Sequence, residues 1–162
     1  MLELNNRKTF NYTQINTGNI KEVFPLLCPV MEREWIDGWD CNMIYTKSGY
    51  IEEDCVFTTT HHGNQETVWH VTHYNKENYT IEFLRITPHE NTVRIKISLE
   101  KLNNLKTKTH TSYMYTLLNS SNTDREFKAI EKSFFDSMFW WEKAINYYLE
   151  KRELLEKEIL KA

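Results

Sequence analysis

The pattern of apolar and polar positions divides the chain into three parts, of which the middle is β-type. Between residues 41 and 118, short runs alternate apolar and polar side chains, which is the period of half-buried strands. The predicted strands are 41–46, 54–60, 66–74, 79–87, 92–102 and 106–118. Turn-type segments such as KSG, HHGN and PHEN separate them at hairpin length. The alternation predicts an antiparallel meander.

The clearest strand shows that the predicted sheet has one dry face. In 92–102, Val93, Ile95, Ile97 and Leu99 alternate with charged and polar residues. A sheet with one apolar face needs a cover, because exposed apolar area is unfavourable.

A long C-terminal helix is the predicted cover. Thr123 or Asp124 is a suitable N-cap, and an apolar stripe at helical spacing follows. The stripe consists of Phe127, Ile130, Phe134, Met138, Trp141, Ile145 and Tyr148. Residues 150–162 are highly charged, with Glu and Lys at helical pairings, and we interpret them as a charged extension of the same helix.

The N-terminal part predicts a strand and two short helices. Residues 8–16 alternate weakly, and Asn16, Thr17 or Asn19 could cap a helix over 19–28. Trp35 and Trp39 then lie four apart, which predicts a second short helix or tight turn with both indoles on one side.

Length and charge limit the class of protein. With 162 residues, we expect one domain over 1–162. The formal net charge is −3 and no basic run is present, which argues against nucleic acid as a partner. Residues 1–20 hold no apolar signal segment, and no run is long enough to span a bilayer, so we expect a cytoplasmic protein with no membrane insertion.

Motifs for metals, cofactors and covalent catalysis are missing from the sequence. Cys28, Cys41 and Cys55 are odd in number and unpaired in spacing, which predicts buried thiols rather than disulfides or a zinc site. The acidic run 52–54 lacks the spacing of a calcium loop. No phosphate-binding glycine loop or nucleophile elbow is found, so we predict neither a metal nor a cofactor.

The element order, one strand, two short helices, six antiparallel strands and a long helix, resembles the helix-grip fold of the START, pollen-allergen and polyketide-cyclase superfamily. The segments PVMEREWIDGWDCNMIYTKSGYIEEDCVFTT, ETVWHVTHYNKEN and RIKISLEK resemble those of an uncharacterised bacterial branch of cyclase- or START-like members. The resemblance implies an α+β fold in which a curved sheet of six to seven strands wraps around the helix. It also implies a pocket for an apolar molecule such as a lipid or polyketide.

The composition also favours a pocket, because 14% of the residues are aromatic and a curved sheet leaves space beneath a single helix. For each candidate taken singly, core packing is the alternative to ligand contact. The predicted lining residues are Trp35, Trp39, Trp69, Val71, Phe83, Arg85, Tyr113, Tyr115, Phe134, Met138 and Trp141.

Arg85 shares the parity of Ile81 and Phe83, so its guanidinium points to an apolar face. There it would need a carboxylate partner or would bind an anionic head group of a ligand. The candidate partners are Glu32, Glu34 and Asp37. The alternative is a bulge that returns Arg85 to solvent.

The histidines offer a weaker basis for catalysis. His61 and His62 lie at a predicted hairpin tip, where a solvated turn is favoured over a metal site. His70 and His73 have opposite parity, so at most one faces the interior, and His110 could face either side. A buried His70 or His110 beside a carboxylate could act as a general base.

Three functional hypotheses follow. The first is a binding or carrier domain for an apolar small molecule, oriented by Arg85 or a tyrosine hydroxyl. The second is a cyclase- or hydratase-type enzyme that uses a pocket His or carboxylate. The third is a co-chaperone-like interaction module whose own aromatics fill the pocket. Trp140, Tyr147 or the charged tail could support a homodimer.

Overall fold

The computed structural model describes residues 5–60 and 65–157. Its strands are β1 Arg7–Asn16, β2 Asn42–Tyr45, β3 Val56–Thr60, β4 Glu66–Asn75, β5 Thr80–Thr87, β6 Asn91–Lys101 and β7 Thr107–Leu117. Its helices are α1 Ile20–Val23, the 3-10 segments Phe24–Leu27 and Met31–Glu34, and α2 Thr123–Lys151.

The strands of the described chain form one antiparallel sheet in the order β1-β7-β6-β5-β4-β3-β2. The meander β2 to β7 occupies six consecutive positions, and β1 pairs with β7, so β1 and β2 are the two edges of the sheet. With α2 laid against this sheet, the predicted α+β helix-grip architecture is confirmed.

The inner face follows from strand alternation. In β6, Val93, Ile95, Ile97 and Leu99 are buried, whereas Arg94 and Lys96 are exposed. Residues of the same parity on β5 and β7 pair with them across the sheet, because cross-strand partners point to the same side. The core therefore lies between this face and α2.

The N-cap of helix α2 lies one residue before the first of the two predicted cap positions, Thr123. Asn122 is the N-cap, and its side chain accepts a hydrogen bond of 3.1 Å from the Arg125 N–H. The stripe predicts the buried face well, since Phe127, Phe134, Met138 and Ile145 are buried.

A set of polar side chains joins α2 to the sheet. Asn146 accepts from the Thr17 N–H at 3.1 Å and donates to the Ile15 carbonyl at 2.9 Å. It also accepts from Asn16, whose own Oδ1 accepts from the Thr109 hydroxyl at 2.7 Å. Because buried polar groups are costly unless paired, this network specifies where the helix meets β1 and β7.

The segment with the two indoles does not form one aromatic side. The second 3-10 segment stops at Glu34, and Gly38 adopts a left-handed φ of 80°, so helical spacing does not continue from Trp35 to Trp39. Trp35 is fully buried against Trp141, with ring centroids 5.1 Å apart, while half-buried Trp39 contacts Trp69. The shared-side prediction is therefore wrong.

Over the described residues 152–156, the predicted helical extension of the tail is also wrong. Helix α2 ends at Lys151, and Arg152 caps it in the left-handed conformation. The chain then turns so that buried Leu155 forms a bridge with Ile36 and the Lys157 N–H donates to Asp37 at 3.0 Å. Residues 158–162 lie outside the described residues.

Within residues 5–60 and 65–157, no helix combines the length and the apolar character that crossing a membrane requires.

Candidate functional site: a ring-lined cavity beneath the long helix

A cavity of about 400 Å³ lies between the inner face of the sheet and α2. This volume falls within the range of roughly 300–1,000 Å³ that is typical of small-molecule sites. The aromatic lining residues are Trp39, Phe57, Trp69, Phe83, Tyr113, Tyr115, Phe134 and Trp141. Ser133 and Ser137 of α2 border the cavity and are exposed, so we place its opening beside this part of the helix.

Strand parity and helix period bring most of the predicted residues together. The predicted residues that line the cavity are Trp39, Trp69, Phe83, Arg85, Tyr113, Tyr115, Phe134, Met138 and Trp141. Their roles toward a ligand stay predictions.

Trp35 and Val71 do not line the cavity. Trp35 lies beneath Trp141, and its indole N–H donates to the Leu26 carbonyl at 2.9 Å. Val71 on β4 is fully buried and pairs with Phe83 on β5. The short helices close that end of the sheet, where Phe24 stacks on Tyr74 with ring centroids 5.6 Å apart. Trp35 and Val71 therefore belong to the core, because other side chains lie between them and the cavity.

Arg85 points into the cavity. Strand β5 pairs with β6 without a register shift, so the bulge that would have returned Arg85 to solvent is not found there. The guanidinium carbon lies 5.3 Å from the ring centre of Trp69 and 5.7 Å from those of Tyr113 and Tyr115. These are cation–π distances.

The hydrogen-bonding capacity of Arg85 is largely unused. Its Nη2 donates to the Tyr115 hydroxyl at 3.5 Å, and its buried Nε has no partner among the described residues. Of the proposed carboxylate partners, Glu34 is exposed and Asp37 binds the tail. Glu32 lines the same cavity but forms no ion pair within 4.0 Å of Arg85. A positive charge therefore faces the cavity.

Glu32 was predicted only as a partner for Arg85, yet it is a buried lining residue with 5% exposure. Burial raises the pKa of Glu32 well above its usual range. The pKa of Tyr113 is also raised, and burial is the largest cause. Tyr115 and Glu32 raise it further, whereas the positive charge of Arg85 lowers it. The Arg85 guanidinium carbon lies 5.7 Å from the ring centre of Tyr113, and Glu32 lines the same cavity as both residues.

Several polar lining residues were missed, although strand parity could have found them. Thr67 has the parity of Trp69, and Thr87 that of Arg85, and their hydroxyls lie 3.1 Å apart. Asn91 has the parity of the buried β6 residues, and its buried Oδ1 has no partner among the described residues. The Arg85 end of the cavity is thus more polar than predicted.

The described histidines lie outside the cavity. A bulge between Val71 and His73 on β4 changes the parity, so that both His70 and His73 are on the outer side. There His70 lies 3.3 Å from Asp54, and His73 lies 3.9 Å from Glu53. His110 is also on the outer face, 3.5 Å from Glu100. A cavity histidine as general base is therefore not supported by the described chain, and His61 and His62 lie outside the described residues.

The cysteines and the acidic run, which were the other candidate sites, have ordinary structural roles. Cys28, Cys41 and Cys55 are free and buried, as predicted. Glu53 and Asp54 are exposed, consistent with the solvated interpretation of the acidic run. Among the residues that the structure describes, no three His, Cys, Asp or Glu side chains come together as metal ligands.

The arrangement just described is that of an α+β helix-grip protein with a cavity beneath its long helix, and comparison with known proteins agrees on the fold. No protein-family model matches the chain. No curated protein matches it either.

Solved structures do match. The Zhui aromatase/cyclase from Streptomyces sp. R1128 aligns with a TM-score of 0.71 at 9% identity, covering 90% of this chain and 95% of that one. Norcoclaurine synthase from Thalictrum flavum, solved with dopamine and hydroxybenzaldehyde, aligns with a TM-score of 0.64 at 10% identity, covering 91% and 88%. A START superfamily protein from Mycobacterium smegmatis aligns with a TM-score of 0.64 at 11% identity, covering 88% and 97%.

Identities this low establish the fold alone, because one fold hosts many functions. At that level the resemblance predicted from the element order is confirmed, since cyclase and START proteins share the architecture.

Proposed function

We propose that this protein binds a small, largely aromatic molecule with one anionic group in the cavity between sheet and helix. The observation that carries the proposal is Arg85, a cation that faces a ring-lined cavity without a carboxylate within 4.0 Å among the described residues. The rings of the ligand would pack against the lining, and its anionic group would meet the guanidinium.

The lining supports an aromatic ligand. Phe57 stacks on Trp69 with ring centroids 5.3 Å apart, and Phe83 meets Trp69 edge-on at 5.9 Å. Aromatic pairs favour such geometries, so a flat ring entering the cavity finds both faces and edges available. Each Å² of apolar surface removed from water contributes about 25 cal/mol, which makes burial the main source of affinity.

The charge on Arg85 supports an anionic group on that ligand. A guanidinium away from water is stabilised by a charge-assisted hydrogen bond, and its planar fork matches a carboxylate in two-pronged fashion. The Nε of Arg85, which has no hydrogen-bond partner among the described residues, is one of the donors of this planar group.

The fold neighbours are compatible with this proposal, since one is an aromatase/cyclase and another is a synthase solved with dopamine and hydroxybenzaldehyde. The interaction-module hypothesis required a cavity filled by the protein's own rings, and a cavity of about 400 Å³ disfavours it. The enzyme hypothesis retains one residue with suitable chemistry, the carboxyl of Glu32.

Binding of 2-naphthoate, followed by tryptophan fluorescence, tests the proposal. We expect saturable binding to the wild type, and a loss of roughly tenfold or more in Arg85→Gln, because hydrogen bonds to charged groups contribute about 1.5–3 kcal/mol. Arg94→Gln is the matched control, since Arg94 lies on the outer face of the neighbouring strand and pairs with Glu82 at 3.0 Å.

Native mass spectrometry of freshly purified protein complements the titration, because a copurifying apolar acid would identify the ligand class. No binding of 2-naphthoate to the wild type would contradict the proposed function. Equal binding by wild type and Arg85→Gln would contradict the role of Arg85.

A further inference from the structure

Glu32 is a second polar group that faces the cavity, and it has no partner of its own. Its residue is 5% exposed and lines the cavity. In residues 5–60 and 65–157, no side-chain hydrogen bond or ion pair involves its carboxyl group. Burying a carboxyl group without hydrogen bonds is costly, so the position needs an explanation.

The backbone around Glu32 holds it in place. Its N–H donates to the Cys28 carbonyl at 2.9 Å, and its carbonyl accepts from the Ile36 N–H at 2.8 Å. The indole N–H of Trp35 donates to Leu26 at 2.9 Å, and that of Trp39 donates to Pro29 at 2.8 Å. Both indoles thus tie this segment to the preceding one, and the carboxyl is directed into the cavity from a rigid support.

The protonation of Glu32 follows from its surroundings. Burial raises its pKa well above the ordinary range, which favours the neutral acid. The titratable or charged groups near it are Arg85 on β5, Tyr113 and Tyr115 on β7, and the Cys41 thiol. Of these, Arg85 is the cation, and it lies more than 4.0 Å from Glu32. A neutral carboxylic acid both donates and accepts a hydrogen bond.

Resting on the proposed function, we propose that Glu32 hydrogen-bonds a neutral oxygen of the same ligand, so that the preferred ligands are aromatic acids that also carry a hydroxyl or carbonyl group. Arg85 binds the anionic group and Glu32 binds the neutral oxygen. The separation of the two polar groups on the ligand then determines which isomer fits. Apolar analogues that lack the second oxygen bind more weakly, because the Glu32 acid stays unpaired.

Hydroxylated 2-naphthoates, with the hydroxyl at position 1, 3, 5, 6 or 7, test the inference against 2-naphthoate itself. We expect at least one isomer to bind the wild type about fivefold more tightly than 2-naphthoate, as one neutral hydrogen bond would give. In Glu32→Leu this preference should disappear, so that the hydroxylated isomer and 2-naphthoate bind the variant equally well; the ratio of the two affinities is the readout. Glu32→Gln, which keeps a donor and an acceptor, should retain most of it.

Glu34→Gln is the matched control, because Glu34 lies two residues away and is exposed. Glu32→Met is a second apolar variant in case Glu32→Leu does not fold. If 2-naphthoate binds but no isomer is preferred, or the preference survives in both apolar variants, the inference is overturned and the proposed function stands. If neither 2-naphthoate nor any isomer binds the wild type, the proposed function fails and the inference fails with it.

Discussion

The hydroxyl of Tyr12 on β1 donates a hydrogen bond of 2.6 Å to the carboxylate of Glu142 on α2. The other carboxylate oxygen accepts from the Ile15 N–H at 3.3 Å. One helix residue therefore holds both a side chain and the backbone of the first strand, one turn from the Asn146 contacts. We therefore expect the docking of the helix on the first strand to weaken at alkaline pH.

Tyr12→Phe should lower the free energy of unfolding by about 1 kcal/mol near pH 8, because it removes one hydrogen bond. The wild type should then lose stability as pH rises from about 10 to about 12. Burial first, then the hydrogen bond and the charge of Glu142, raise the pKa of Tyr12 from 10.0 to about 12. Between these two pH values the folded protein keeps the Tyr12 proton, whereas the unfolded chain releases it. The free energy of unfolding therefore falls as the pH rises through this range. Urea unfolding at several pH values measures both effects.

The Phe variant lacks this titrating group, so its stability should fall less steeply between pH 10 and pH 12 than that of the wild type. Parallel curves for the two proteins would show that Tyr12 does not contribute to the alkaline loss.

Thr109→Val should destabilise the protein by about 1–2 kcal/mol, because the buried Oδ1 of Asn16 loses a donor while the shape of the side chain is kept. Thr111→Val is the matched control. Thr111 is buried on the same face of β7, and its hydroxyl has no hydrogen-bond partner among the described residues. Chemical denaturation should show little change for this control, and equal losses in the two variants would argue against a specific role of the network.

Leu155→Ala should destabilise the protein by about 2 kcal/mol, since Leu155 is buried beside Ile36 and its truncation leaves a cavity. Neighbouring Leu154 is only half-buried, so Leu154→Ala should cost less. Thermal unfolding compares the two variants. A tail that made no stabilising contact would give the same small effect at both positions.

Much of the architecture could be predicted because alternation and helical spacing are local properties. The inner parity of β6 follows from Val93 and Ile95, and the buried face of α2 follows from the spacing of Phe127, Phe134 and Met138. The same parity placed Arg85 on the inner face. These residues are constrained by the repeat of their own element, so a single chain is enough to locate them.

Features that depend on contacts between elements could not be predicted in this way. The β4 bulge moves His73 to the outer side, and a bulge leaves no reliable trace in alternation. Trp35 and Trp39 lie only four residues apart, yet the first is buried under Trp141 and the second borders the cavity, because the segment between them stops being helical.

Sequence periodicity alone therefore defined the strands, the long helix and the inward direction of Arg85, since each depends on residues two to four apart. Only the tertiary structure decided that Glu32 shares the cavity with Arg85 without an ion pair, and that Leu155 turns back onto Ile36. Those relationships join residues separated by many positions in the chain. They depend on how the packed short segments divide the space beneath the helix into core and cavity.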